Sequence, residues 1–250
     1  MENKPTVQKI RDFLEQEQNS GKSLFSYQSL LSQDNSLINS KIKIGLNEYK
    51  EIILEEETGL ELGGMNRKSF SMVIPINSIN LIDHGKITLL GREVNKITEP
   101  DIDFGIILLL ELYDNDEDEL RQLNFISNGI EGFSIRTIPR RFWCRISKSA
   151  LQKGFSFKFL GNAIIYLYKR KFKEVVKSIE VIFINSYPSS IEQFVVLTSD
   201  ILSKEKEKWK KKFDEWRKRI DCDYDWGCEI CPYREECYNV KQVLVSREEI

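Results

Sequence analysis

The sequence predicts a mixed α/β protein: a mixed sheet with flanking helices, followed by a cysteine-rich, metal-binding tail. Three observations predict it. Apolar runs of strand length alternate with segments whose apolar residues recur at helical spacing. One run, residues 104–112 (FGIILLLEL), is apolar enough to be buried on both faces of a sheet. Finally, Cys222, Cys228, Cys231 and Cys237, four of the five cysteines, fall within sixteen residues near the end of the chain.

Each element has a local reason. Residues 5–17 predict a helix, with Pro5 suited to the first turn and Val7, Ile10, Phe13 and Leu14 on one face. Residues 18–23 (QNSGKS) end it. This GKS lacks the upstream glycine of a phosphate loop and receives no nucleotide role. Residues 24–45, rich in Ser, Asn and Gln, predict an irregular connection or a short helix. Strands are expected at 70–76 (FSMVIPI), 86–94 (KITLLGREV) and 104–113. The acidic run 114–119 (DNDEDE) opens a helix over 117–128, where carboxylates suit the positive end of the helix dipole. Residues 133–147 (FSIRTIPRRFWCRIS) read as one extended segment ending at Ser147, which can cap a helix over 148–154. A second helix is expected over 161–178, with Ile165, Tyr168, Phe172, Val175 and Val176 on one face. A strand follows at 180–185 (EVIFIN), then a helix from Ser189 or Ser190 to about Arg219. Its last part, 204–219, holds nine basic and four acidic residues beside a stripe of Trp209, Phe213, Trp216 and Ile220. That charged side is either solvated or a face for an acidic partner.

Composition narrows the classes. At 250 residues the chain can bury a substantial core, and 41% hydrophobic with 30% charged residues is a soluble balance. No run reaches the ~18 apolar residues of a membrane helix. The N-terminus lacks the basic-then-apolar layout of a signal peptide, so a cytoplasmic location is expected. A net charge of −2 does not supply a nucleic-acid footprint. His84 is the sole histidine and is expected in a turn before a strand; a catalytic triad or a histidine metal cluster needs more. Neither a dinucleotide fingerprint nor a nucleophile elbow occurs.

Two groups of residues remain. In a reducing compartment the spacing C-x5-C-x2-C-x5-C favours metal over disulfides, with free or redox thiols as the alternative. Four thiolates suit zinc or a [4Fe-4S] cluster. Pro232 directly after Cys231, and a single C-x-x-C rather than two, favour the cluster. The second group is Arg136, Arg140, Arg141 and Arg145 around Trp143. Arginine forks bind phosphates and an indole stacks on a purine, so a phosphorylated ligand is one reading. Ion pairing with residues 114–119 and a buried tryptophan is the other. Arg140, Arg141 and Arg145 cannot share one face of a strand, because side chains alternate.

Residues 127–184, and most distinctively 143–148 (WCRISK), resemble the beta-type subunit of carbon monoxide dehydrogenase/acetyl-CoA synthase, with 60–73 (LELGGMNRKSFSMV) and 86–94 similar to its lead-in strands. The resemblance spans roughly residues 55–237. With the helical pattern at the start of the chain, it divides the sequence into an N-terminal helical extension over 1–45, an acetyl-CoA-synthase-like middle domain over 46–220 and a cluster-binding tail over 221–250. By resemblance Trp143 and Arg145, with Arg140 and Arg141 nearby, are implicated in coenzyme A binding, and Cys228 and Cys231 match the family's C-x-x-C. The family's later nickel-ligating pair has no counterpart before Ile250, so nickel is not expected on this polypeptide. Cys222 is expected as the fourth cluster ligand in place of the family's later cysteine. The expectation is a cytoplasmic accessory iron–sulfur protein that passes electrons to, or docks with, a corrinoid or carbon monoxide dehydrogenase-type partner. Alternatives are an acyltransferase-type enzyme acting on a CoA thioester at Trp143, or acetyl-CoA synthesis with nickel ligands from another chain.

Overall fold

The structure, a computed structural model, describes residues 4–29, 41–45, 51–64, 67–76, 81–113, 129–138, 141–185 and 187–197. The chain divides into two compact units, residues 1–197 and 198–250, and every described residue lies in the first. In chain order the elements are α1 (Lys4–Asn19), β1 (Leu24–Gln28), β2 (Thr58–Gly63), β3 (Ser69–Ile76) and β4 (Lys86–Leu90). A 3-10 turn (Val94–Lys96) precedes β5 (Asp101–Ile102), β6 (Phe104–Leu112), β7 (Phe133–Ile138) and β8 (Arg141–Ser147). Then come α2 (Lys148–Gln152), α3 (Phe157–Lys171), β9 (Val176–Asn185) and a helical segment at 188–197.

The strands form two mixed sheets, not the single sheet expected. The first runs β1-β4-β9-β6-β3 and the second β5-β2-β8-β7. The division follows from which strands are apolar on both faces. In β6, Phe104, Ile106, Leu108 and Leu110 enter one core while Ile107 and Leu109 enter the other. Likewise β9 sends Val181 and Phe183 one way, and Ile182 and Ile184 the other. Strands of this kind need cover on both sides. By contrast β2 alternates: Leu60 and Leu62 are buried, whereas Glu61 between them is part-exposed. It belongs in a sheet with one outward face.

Two cores result. The larger lies between the first sheet, the second sheet and α3, and contains Leu60, Leu62, Cys144, Ile146, Phe133, Leu160 and Ile164 with the inner residues of β6 and β9. On the opposite side of the first sheet, α1 contributes Val7, Ile10, Phe13 and Leu14, packed with Ile191 and Phe194 of helix 188–197. The Phe194 ring meets Phe13 edge-on at 5.3 Å and stacks on Phe70 at 4.9 Å. Arg11 on α1 grips the fully buried Glu180 of β9 with two hydrogen bonds, 2.5 and 2.6 Å.

Several expected elements form as their patterns require. These include α1, β3, β6 and the helix after Ser147, whose Oγ accepts from the Ala150 amide at 3.0 Å. Others differ for identifiable reasons. Residues 24–28 form a strand, because pairing with β4 supplies what their short pattern does not. The strand expected at 86–94 stops at Leu90. There Gly91, at φ 138°, lies so close to Asn185 that no side chain fits, and the Asn185 amide bonds both the N–H and the C=O of Arg92. Residues 133–147 are two antiparallel strands flanking 139–140 rather than one segment. The helix expected at 161–178 spans 157–171 instead, since Ser156 caps it and the β-branched run from Val176 joins β9. The acidic run 114–119 and the helix expected over 117–128 lie outside the described residues, as does the chain beyond residue 197.

Candidate functional site: the outward face of the second sheet

Register places the site. Leu62 pairs with Cys144, and Cys144 with Ile135; these residues face the core. The alternate set, Glu61, Gly63, Trp143, Arg145 and Ser134, takes the other face. Glu61 stands opposite Arg145, and Gly63 opposite Trp143. On the other side of β2, Asp101 is the neighbour of Glu61.

Arg145 is the centre of this face. Its Nε donates to Glu61 Oε1 at 2.5 Å, and its Nη1 donates to the Ile53 carbonyl at 3.3 Å. Its guanidinium carbon sits 4.9 Å from the centroid of the Trp143 ring, a cation–π distance. The side chains of Arg145 and Glu61 retain 14% and 24% of their exposure, so the pair is largely but not wholly withdrawn from water. The indole lies over Gly64, where an added Cβ would come within 3.7 Å of its Cδ1 and Nε1. Gly64 has φ 120°, a conformation L side chains rarely adopt, and the Gly63-Gly64 pair thereby turns the chain under the ring. Alongside, Arg67 binds Asp101 through two bonds of 2.9 Å, and this guanidinium holds the Asp101 carboxyl below its ordinary range.

Sequence-predicted site residues divide as follows. Trp143 and Arg145 come together on one face of β8. Arg136 lies opposite Trp143 in the β7–β8 register, and Arg141 opposite Ile138 as the first residue of β8. Arg140 and all four clustered cysteines lie outside the described residues. A carboxylate facing Arg145 is Glu61, which sequence reasoning missed; the acidic run at 114–119, one of the two readings for the arginine group, lies outside the described residues. The only available signal was one glutamate between Leu60 and Leu62 in an alternating strand.

The remaining reactive side chains are otherwise engaged. Cys144 is buried in the core, and burial pushes its thiol pKa well up, with Glu61 adding to the effect. His84 lies in the turn before β4, as expected, and its Nδ1 accepts from the Ile179 amide at 3.4 Å. Desolvation, then the nearby Lys169, lowers its pKa. Among the described residues no group of three or more His, Cys, Asp or Glu side chains could hold a metal ion, and no helix is long and apolar enough to cross a membrane.

Comparison with known proteins returns one family, described as the CO dehydrogenase/acetyl-CoA synthase complex beta subunit, whose profile matches residues 41–188. That segment contains Glu61, Gly64, Trp143 and Arg145. The chain is similar to the acetyl-CoA decarbonylase/synthase complex subunit beta of Methanopyrus kandleri, 27% identical over 204 residues, covering 78% of this chain and 42% of that protein. Subunit beta 1 of Methanocaldococcus jannaschii is 24% identical over 195 residues, 76% of this chain and 25% of the relative. The carbon monoxide dehydrogenase/acetyl-CoA synthase subunit alpha of Moorella thermoacetica is 26% identical over 191 residues, 72% of this chain and 25% of that relative. The chain therefore spans less than half the length of each of these relatives.

Proposed function

Since this chain belongs to the CO dehydrogenase/acetyl-CoA synthase complex beta subunit family, we propose that it is an accessory, partner-docking component of an assembly of that kind, carrying a [4Fe-4S] cluster on Cys222, Cys228, Cys231 and Cys237. The observation that carries the reading is the donor set. Four thiols lie within sixteen residues beyond the matched segment, and the fifth, Cys144, is sealed in the core. Four thiolates at this spacing fit a cubane, and they also fit zinc. When bound, a cluster of this type accepts and returns one electron. The chain's own part is to present the thiolates, with Tyr224, Trp226, Tyr233 and Tyr238 close in sequence to limit water. A protein partner is inferred from the relatives, which are named as subunits, two of them of a complex.

The test is the iron, sulfide and zinc content of anaerobically purified protein, with its electron paramagnetic resonance spectrum. About four irons and four sulfides per chain are expected. Cys231→Ser should lose them, and Cys144→Ser should keep them. One zinc without sulfide would replace the redox role with a structural one.

A second reading is favoured by the outward stack of Arg145 on Trp143: the second sheet receives a phosphorylated ligand such as coenzyme A, with Arg136, Arg140 and Arg141 as further cations. Calorimetric titration with coenzyme A tests it, and absence of heat at millimolar ligand removes it.

A further inference from the structure

Arg145 already holds an anion. Its Nε is bonded to the Glu61 carboxylate at 2.5 Å, while its flat face rests on Trp143 and its Nη1 on a neutral carbonyl, that of Ile53. A guanidinium fork recognises carboxylate and phosphate in the same way, in plane and through the same N–H groups. We propose that Glu61 is a built-in gate on this site: its carboxylate occupies Arg145 in place of a phosphate-bearing ligand, which binds by exchanging with it. The proposal rests on the reading of Trp143 and Arg145 as a phosphate-ligand site.

The surroundings suit an exchange. Trp143 and the Ile53 carbonyl keep the guanidinium oriented whichever anion faces it. Glu61 stands on β2, with part of its side chain still reaching water, so its carboxylate can leave without crossing a core. Replacing one anion by another leaves the half-buried cation compensated throughout, avoiding the penalty of an unpaired buried charge. Exchange has a cost that makes the gate selective. Asp101 is the strand neighbour of Glu61, and among the described residues the guanidinium nearest to it in the sheet, that of Arg67, is already held by both oxygens of Asp101. A singly charged anion gains little over Glu61; a ligand with two or more phosphate charges gains more.

Full-length Glu61→Gln protein and wild type are titrated with inorganic pyrophosphate and with coenzyme A, after thermal unfolding establishes that both are folded. Glu61→Gln should bind both probes about tenfold more tightly or better, the scale of one charge-assisted hydrogen bond released from competition. Glu61→Asp, which keeps the charge on a shorter arm, should fall between them and serves in its place if the glutamine variant is unstable. Preference for coenzyme A over pyrophosphate assigns the ring face of Trp143 to a nucleotide base; equal affinity assigns the site to phosphate alone. If wild type binds and neither variant binds more tightly, the gate is refuted and the ligand reading stands. If no form binds either probe, both fall together.

Discussion

At the scale of single residues, the decisive interactions are charges withdrawn from water and paired at long range. Arg11 and Glu180 are 169 residues apart, yet their two hydrogen bonds join α1 to the centre of the first sheet. Glu180 is fully buried, while Arg11 keeps 26% of its side-chain exposure. Arg11→Ala leaves a carboxylate in the core to which, among the described residues, the Asp83 amide at 3.3 Å still donates. The expected loss is about 3 kcal/mol, the lower end for breaking a buried pair because one partner is part-solvated. Urea unfolding measures it, and a loss below ~1 kcal/mol would mean that water reaches Glu180. The double change Arg11→Met with Glu180→Leu should recover most of the stability, since apolar replacement of a buried pair is often neutral. None of these partnerships was legible beforehand. An arginine in sequence announces a charge but not which carboxylate the fold brings to it, and Glu61 is 84 residues from Arg145.

Legibility at the scale of elements follows how much of an element's stability is local. The run 104–112 declares itself because no other arrangement buries so many consecutive apolar residues, and α1 does so through a four-residue stripe. In contrast β1 has only Leu24, Phe25 and Tyr27 to offer, and its extended form depends on a ladder to β4 from Leu24↔Leu90 to Gln28↔Lys86. The break between β7 and β8 was available in Pro139, which removes a ladder donor, but the surrounding β-branched residues masked it in a reading by pattern alone. A helix start was readable where its cap was read, at Ser147; the Ser156 cap was not, and α3 begins at Phe157 rather than at 161. Ser147 accepts from the Ala150 amide at 3.0 Å, and Ser147→Ala should cost about 1 kcal/mol in denaturant unfolding. Ser147→Asp should restore it, because an aspartate also caps; no recovery would mean that the loss came from packing around this buried serine rather than from the cap.

Across the whole molecule, acid sensitivity is set by carboxylates tying loops to elements. Lys86 beside Asp83, Arg67 beside Asp101 and Lys153 beside Glu131 each lower the carboxyl pKa, in every case chiefly through a side-chain hydrogen bond. A pKa lower in the folded state than in the unfolded one stabilises above the ordinary value and is lost as pH falls through the lowered one. Their contribution is thus intact at neutral pH and declines from about pH 4.5 downward. Melting temperature against pH should show this fall, and Asp101→Asn should flatten part of it. A decline that begins near neutrality would place the controlling groups elsewhere. The strand order of the first sheet carries a further consequence. Its central strand, β9, is the last of its five in the chain, inserted between β4 and β6. During synthesis, therefore, β1, β3, β4 and β6 are all made before the strand that unites them, and any pairing of β1 with β4 or of β3 with β6 leaves an open, apolar edge until β9 arrives. Until residue 185 has been synthesised this half-made chain is a substrate for chaperones and for its own neighbours, and the time spent waiting for one strand becomes the interval in which expression succeeds or aggregates.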